Sequence, residues 1–353
     1  MSQTHRAEFG WPGGDNPGAL GFSHEIAAPL RVAIGKVAEQ QCSSLGEVEV
    51  IHALNAPEGA VGRYCVRGAK ESVFARVSRR WGKPELEQAI TGYLKSSGCS
   101  VNHLEVAGAA LEFEGETYRL DIRQLIEGRH FDGSLEDLRS LAGELAKCHA
   151  ALRSFPQAAE VCDHAAKRFI RLDQTRRKMD DALKRHDWGF FSEDNQWAIA
   201  HREWLQALVD QFEPEFHHHP TAQCLHAQIH RANIIFKNDD GRPVLVDWEE
   251  AVQTFAPVSW DLAYFVQRFC LYDDPASKVI RERLTAVRMA YGSWTPGIAE
   301  MMQQLAWMSI ATIVGNREMG AFSNPAGEYQ KFVRLECQAR EYRSVINGDL
   351  LAS

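Results

Sequence analysis

The sequence predicts an α+β fold with two lobes, a small antiparallel sheet in the N-terminal lobe and a large helical C-terminal lobe. From residue 46 to 125, short β-branched and aromatic runs alternate with turns rich in Gly and Pro, which is typical of strands. Beyond residue 128, apolar side chains such as Leu138, Leu141 and Leu145 follow the spacing of a buried helix face. The 353 residues are enough for two domains of about 150 residues each.

The N-terminal lobe is expected over residues 21–125, after a flexible lead-in over 1–20 that is rich in Gly and Pro. Pro29 is expected to kink the first helix or to mark a break near its start. Pro84 is suited to the first turn of the second helix, where its missing N–H costs nothing. In chain order the patterns predict a helix over 22–41, strands over 48–52, 63–67 and 72–77, a helix from Pro84 to just before Gly98, and strands over 105–113 and 117–125.

The C-terminal lobe is expected over residues 126–353, following a connector at Leu125 to Gly128. One island of strand character lies within it, at 232–236 and 243–246, and the turn between these runs contains Asp240-Gly241. An Asp-Gly pair between two apolar runs is a strong hairpin signal. The remaining patterns predict helices near 138–152, 159–186, 192–213, 258–270, 276–292 and 297–315.

Composition and charge exclude several classes of protein. The 39 basic and 47 acidic residues give a net charge of −8, which argues against a nucleic-acid partner because such domains usually carry a basic excess. A membrane span is not predicted, since no run of 18 apolar residues is present. The eight cysteines form no C-x-x-C pair, and Cys65, Cys148 and Cys224 lie in apolar stretches where buried, reduced thiols are expected. Together with a start that lacks a signal-peptide core, this indicates a cytoplasmic protein.

The most informative residues lie around the predicted hairpin. His226, Gln228 and Asn233 occupy the His, Asp and Asn positions of the kinase catalytic-loop pattern H-R-D-x-x-x-x-N, and Asp247 ends the following strand. An Asn carboxamide and an Asp carboxylate brought side by side by a hairpin supply the oxygen ligands that Mg²⁺ prefers. Asn233 and Asp247 are therefore candidate metal ligands; the alternative is that they are turn and strand-end residues without a metal.

These residues give the chain a resemblance to the aminoglycoside phosphotransferase and choline kinase-like family, whose signature is roughly H-G-D-x-H-x-x-N, strand, turn, strand, D-[FWL]-[ED]. The resemblance extends from about residue 45 to 340 and implies a bilobal protein-kinase-like fold. It is supported by Phe74-Ala75-Arg76-Val77 on the third strand, Glu87 on the next helix, the hinge Ile126-Glu127-Gly128, the helical Leu145-Ala146-Lys147-Cys148-His149-Ala150 and Trp260-Asp261-Leu262-Ala263.

The resemblance implies an ATP-dependent phosphotransferase that acts on a hydroxyl group of a small molecule. ATP would place its adenine near the hinge, at Gln124 and Ile126, and its Mg²⁺ on the hairpin. Arg76, oriented by an ion pair with Glu87, would hold the phosphates, because a guanidinium suits two-point contact with phosphate and carboxylate. The bland alternative is that Arg76 is a strand-edge surface residue.

The sequence departs from the family pattern at the centre of the catalytic loop. Gln228 stands where the family has its catalytic Asp, and Ala227 stands where it has Gly. A neutral amide accepts a hydrogen bond but does not take a proton, and general-base catalysis contributes about 10²–10⁴-fold. The loop residues Gln228 and His226 are the catalytic candidates, with His226 expected to hold the loop. Asp261 is expected to be a helix cap or a loop anchor.

Three functions therefore stay open: a kinase, a pseudokinase-like regulator that binds a nucleotide or metabolite, and a kinase fold that transfers another group. The residues do not identify the phosphate acceptor, the preferred nucleotide or the oligomeric state.

Overall fold

The structure is a computed structural model that describes residues 26–54, 60–79, 82–185, 202–211, 215–271, 275–315 and 325–347. The predicted lead-in over 1–20 lies outside the described residues. Contacts divide the chain into two compact units. The first combines the residues up to Asp137 with Arg231–Glu249, so the hairpin groups with the N-terminal sheet; the second combines Leu138–His230 with the residues from Glu250 onward.

The first unit contains a five-stranded antiparallel sheet in the order β1-β2-β3-β5-β4. This confirms the α+β class and all five strands expected for the N-terminal lobe. Two helices accompany the sheet, and Pro29 and Pro84 each lie in the first turn of one of them. The elements are α1 (Ala28–Gln41), β1 (Val48–Ala53), β2 (Gly62–Gly68), β3 (Ser72–Ser78), α2 (Pro84–Ser96), β4 (Leu104–Phe113) and β5 (Glu116–Gln124).

The two faces of this sheet differ in chemistry because successive side chains of a strand point to opposite sides. On one face, apolar residues of the strands pack with Leu30, Ile34 and Ala38 of α1 in the core of the unit. The core residues of β3 are Val73, Ala75 and Val77, and those of β5 are Tyr118, Leu120 and Ile122. The intervening residues of both strands therefore share the other face, which carries Arg76 and three buried charged residues of β5.

A second, three-stranded sheet holds the hairpin. Its strands are β6 (Gly128–Arg129), β8 (Ile234–Lys237) and β9 (Pro243–Leu245), in the order β6-β8-β9. The hairpin prediction is confirmed, and the connector adds a strand that the sequence did not indicate. Gly128 permits this pairing, because a Cβ there would lie 2.2 Å from the carbonyl oxygen of Phe236.

The second unit is built mainly from helices, as predicted. They are α3 (Leu135–Leu152), which starts at the end of the first unit, α4 (Ala158–Arg185), α5 (Arg202–Gln211), α6 (Ser259–Phe265) with a π-helical extension over Val266–Cys270, α7 (Ser277–Tyr291), α8 (Ile298–Gly315), α9 (Pro325–Glu341) and α10 (Arg343–Asn347). Two short strands, β7 (Gln223–Cys224) and β10 (Phe255–Ala256), pair antiparallel. The last two helices were not predicted from the sequence.

The structure also shows the state of the cysteines and the character of the helices. All eight cysteines are free thiols, and Cys65, Cys148 and Cys224 are buried as expected. Among the helices of the described ranges, none is both long and apolar enough to cross a membrane.

The close approach at Gly128 makes a testable prediction. Gly128→Ala should lower the free energy of unfolding by about 1–3 kcal/mol, because the new methyl group meets backbone atoms that must move apart. Urea unfolding monitored by circular dichroism measures the effect. Gly143→Ala in α3, where a Cβ meets nothing within 4 Å, is the control and should leave stability unchanged or raise it. Equal stability of the two variants would show that the β6–β8 pairing is not tight.

Candidate functional site

The hairpin fixes the two candidate metal ligands through its backbone. Asn233 ends a short 3₁₀ turn, Arg231–Asn233, and its side chain is buried. Its carbonyl oxygen accepts a hydrogen bond from the N–H of Val246 at 2.9 Å, which ties Asn233 to the residue before Asp247. Asp247 has a φ of +63°, a left-handed conformation that costs a non-glycine residue about 1–2 kcal/mol. Such backbone strain concentrates at functional sites.

Arg76 of β3 reaches the segment that follows the hairpin. Its Nη1 lies 2.8 Å from Oε2 of Glu249 and 3.5 Å from Oδ1 of Asp247. Burial alone would lower the pKa of Arg76, but the negative charges of Glu249 and Asp247 outweigh this and raise it above its usual value. The structure thus brings together two of the predicted site residues, Arg76 and Asp247, and adds Glu249.

The predicted ion pair between Arg76 and Glu87 is wrong. Within the described residues, Glu87 pairs with Arg123 and, at 3.6 Å, with Arg119. Because both arginines project from β5 toward the buried carboxylate on α2, they balance its charge without a residue of β3. The alternation Arg119, Asp121, Arg123 is visible in the sequence and indicates three charged side chains on one face of a strand. That signal identifies the residues that the sequence analysis missed.

The hinge candidates lie where the main sheet ends. Gln124 is the last residue of β5, pairs with Val73 of β3, and has an exposed side chain. Ile126 is half-buried in the connector before β6. Nothing in their contacts assigns them a ligand, so their adenine-binding role stays a prediction.

In the second unit, Asp261 holds the loop that carries His226 and Gln228. Its Oδ2 accepts the backbone N–H of His226 at 2.9 Å, and its Oδ1 accepts that of Ala227 at 2.8 Å. Nε2 of His149 lies 3.0 Å from Oδ2, and the hydroxyl of Tyr291 lies 2.7 Å from Nδ1 of the same ring. Asp261 is fully buried and is therefore the loop anchor that the sequence analysis expected.

The anchored loop has an unusual backbone at Ala227, where φ is +74°. Glycine adopts this conformation without strain, whereas alanine does so at a cost. The ring of His226 is fully buried, and its Nδ1 accepts the N–H of Gln228 at 3.3 Å. His226 is therefore a structural part of the loop, and the side chain of Gln228 is half-buried.

The residues of the first unit fit a hard divalent cation. Asn233 and Asp247 offer amide and carboxylate oxygens, the ligand types that Mg²⁺ takes together with phosphate oxygens and water. The side chain of Asp247 is 31% exposed, so one of the two donors is accessible from solvent. Arg76, Asp247 and Glu249 together carry one net negative charge, which a divalent cation reverses to favour phosphate.

The chain matches the model of one enzyme family in sequence and resembles several solved structures in fold. The model of the phosphotransferase enzyme family matches residues 63–295. No curated protein matches the chain by sequence. An aminoglycoside phosphotransferase from Alicyclobacillus acidocaldarius superposes with a TM-score of 0.56 and 13% identity, over 88% of this chain and 95% of that one.

Two further solved structures are similar in fold. A spectinomycin phosphotransferase bound to AMP has a TM-score of 0.54 and 14% identity, over 86% of this chain and 93% of that one. A thermostable mutant aminoglycoside phosphotransferase in ternary complex with ADP and hygromycin B has a TM-score of 0.51 and 13% identity, over 86% and 98% of the two chains. At these identities the likeness establishes the protein-kinase-like fold.

The loop anchor yields a prediction about stability. Asp261→Ala should lower the free energy of unfolding by at least about 3 kcal/mol, because it leaves two buried backbone N–H groups and the His149 ring without their acceptor. Chemical denaturation measures the loss. Asp163→Ala removes an exposed carboxylate from α4 and should change stability by no more than about 0.5 kcal/mol. A loss at Asp261 as small as at Asp163 would contradict the anchoring role.

Proposed function

The chain belongs to the phosphotransferase enzyme family, and from this premise we propose that it transfers the γ-phosphoryl group of ATP to a hydroxyl group of a small molecule. The observation that carries the proposal is the convergence of Arg76 with Asp247 and Glu249 next to the strained end of the hairpin. A cation and two carboxylates there match the needs of a metal-bound polyphosphate, since phosphoryl transfer depends chiefly on positioning and charge stabilisation.

Five of the predicted site residues have a binding role in this proposal. Gln124 and Ile126 would contact the adenine, and Arg76 would hold phosphate oxygens. Asn233 and Asp247 would hold Mg²⁺, which supplies neutralisation of the phosphate charge when bound. The solved relatives that contain AMP, ADP or a hydroxylated antibiotic support a nucleotide donor and a small hydroxylated acceptor. The eight free thiols support a cytoplasmic location.

Gln228 determines how fast we expect phosphoryl transfer to be. Its amide oxygen accepts a hydrogen bond from the acceptor hydroxyl and so orients that group, but it does not take the proton. The loss of a base costs about 10²–10⁴-fold, whereas the positioning of the nucleotide on the first unit is retained. We therefore expect slow transfer with ordinary nucleotide affinity. The same residue is the one observation that favours the alternative, a nucleotide-binding regulator without transfer.

Turnover assays on the native chain and two variants separate these functions. ATP consumption is measured against a panel of sugars, amino alcohols and aminoglycosides. The native chain should turn over at least one acceptor, and Gln228→Asp should raise its kcat by about 10²-fold because a carboxylate takes the proton. Gln228→Asn, equal in size to the Asp variant but neutral, should give no such gain.

The other outcomes of this assay are equally decisive. Nucleotide binding without turnover in the native chain, with activity gained only by Gln228→Asp, would establish the regulator in place of the enzyme. Neither binding nor turnover in any of the three proteins would refute the nucleotide site itself.

A further inference from the structure

We propose that Glu249 is the residue that positions Arg76 for phosphate, and that Glu87 instead serves to hold α2 on the sheet. This assignment rests on the proposed function, because the position of Arg76 affects catalysis only if phosphate binds there. It gives Glu249, which follows the hairpin, the role that the sequence led us to expect for Glu87 on α2.

The Glu87 carboxylate faces two arginines of β5. Its Oε1 pairs with Arg123, and its Oε2 lies 3.6 Å from Nη2 of Arg119. The side chain of Glu87 is 2% exposed, and those of Arg123 and Arg119 are 5% and 8% exposed. Breaking such a buried pair leaves an uncompensated charge, so these arginines are not exchanged for Arg76 without a large cost.

Asp121 lies directly opposite Arg76 in the β3–β5 register. Its carboxylate accepts hydrogen bonds from Arg119, at 2.9 Å to Oδ1 and 2.6 Å to Oδ2, and from the N–H of Gly108 at 3.0 Å. Glu87, Arg119, Asp121 and Arg123 thus form a buried quartet of two anions and two cations. The quartet has no net charge and does not require Arg76.

Two carboxylates of the segment that follows the hairpin lie close to Arg76. Glu249 lies closer, at 2.8 Å, than Asp247, at 3.5 Å. Trp248 between them is buried and donates from Nε1 to the carbonyl oxygen of Leu245 at 3.1 Å, which fixes the segment against the hairpin. Because Asp247 is also the candidate metal ligand, Glu249 is the carboxylate that continues to hold Arg76 when Asp247 binds a cation.

Side-chain NMR of arginine tests this pairing without any nucleotide. The Nε–H resonance of Arg76, identified by its absence in Arg76→Lys, should shift more in Glu249→Gln than in Glu87→Gln, because Glu249 lies at 2.8 Å whereas Glu87 acts on Arg76 only through a weaker Coulombic interaction. Glu250 pairs with Arg168 at 3.2 Å. Glu250→Gln is therefore the matched control at the neighbouring position, and it should leave the Arg76 resonance in place. If Glu87→Gln does not fold, Arg123→Lys perturbs the same carboxylate and replaces it.

A double-mutant cycle tests the role in phosphate binding. Glu249→Gln should weaken binding of a magnesium complex of a non-hydrolysable ATP analogue about 3–10-fold in the native background. It should have less than half of that effect, as a fold-change, in the Arg76→Gln background, and Glu249→Asp should restore part of the loss. Isothermal titration calorimetry measures the four affinities of the cycle and that of Glu249→Asp.

The two experiments fail in distinguishable ways. A shift of the Arg76 resonance in Glu87→Gln as large as or larger than that in Glu249→Gln overturns the pairing, and so does an equal calorimetric effect of Glu249→Gln in both backgrounds. Absence of nucleotide binding by the native chain would refute the proposed function and with it the phosphate role of Glu249, while the NMR result would still decide which glutamate holds Arg76.

Discussion

The chemistry of the first unit depends on how β5 neutralises its own face of the sheet. Arg119 and Arg123 satisfy both Glu87 and Asp121 in a buried network, so the acids nearest to β3 are already engaged. Arg76 therefore extends to the hairpin segment and pairs with Glu249 and Asp247. The arginines of β5 thus determine which carboxylates pair with Arg76 of β3. In this way a buried structural network places a partly exposed cation next to the candidate metal ligands.

The second unit contributes a different constraint, the anchoring of a strained loop. Asp261 binds the backbone N–H groups of His226 and Ala227, and this bonding persists although the loop has Ala at a left-handed position and Gln where a base is expected. The scaffold that shapes the loop is therefore intact, while the group that would take the proton is replaced.

Much of the fold was predictable because its local signals are strong. Alternating apolar residues located β1 to β5, and the Asp240-Gly241 turn located the hairpin. The strand β6 was missed because two residues carry too little pattern, and its formation depends on a tertiary contact at Gly128. The sequence indicated that Asp261 is a helix cap or a loop anchor, and its hydrogen bonds to the loop of His226 favour the anchor.

The sequence predicted which types of residue form the site, but not which of them form ion pairs with one another. Spacing showed that an arginine on β3 and a glutamate on α2 were present, but it did not show that β5 supplies competing arginines to the same carboxylate. Which cation meets which anion depends on strand register and burial, and these emerge only in the folded chain. The roles of Asn233, Gln124 and Ile126 remain predictions for the same reason, since they depend on a ligand.

The most direct measurement of the central claim is a crystal structure with Mn²⁺ and a non-hydrolysable ATP analogue, with the metal located by anomalous scattering. We expect a metal ion at about 2.1 Å from the side-chain oxygens of both Asn233 and Asp247, with the Arg76 guanidinium on a phosphate oxygen. A metal ion bound elsewhere, with those two side chains pointing apart, would contradict it.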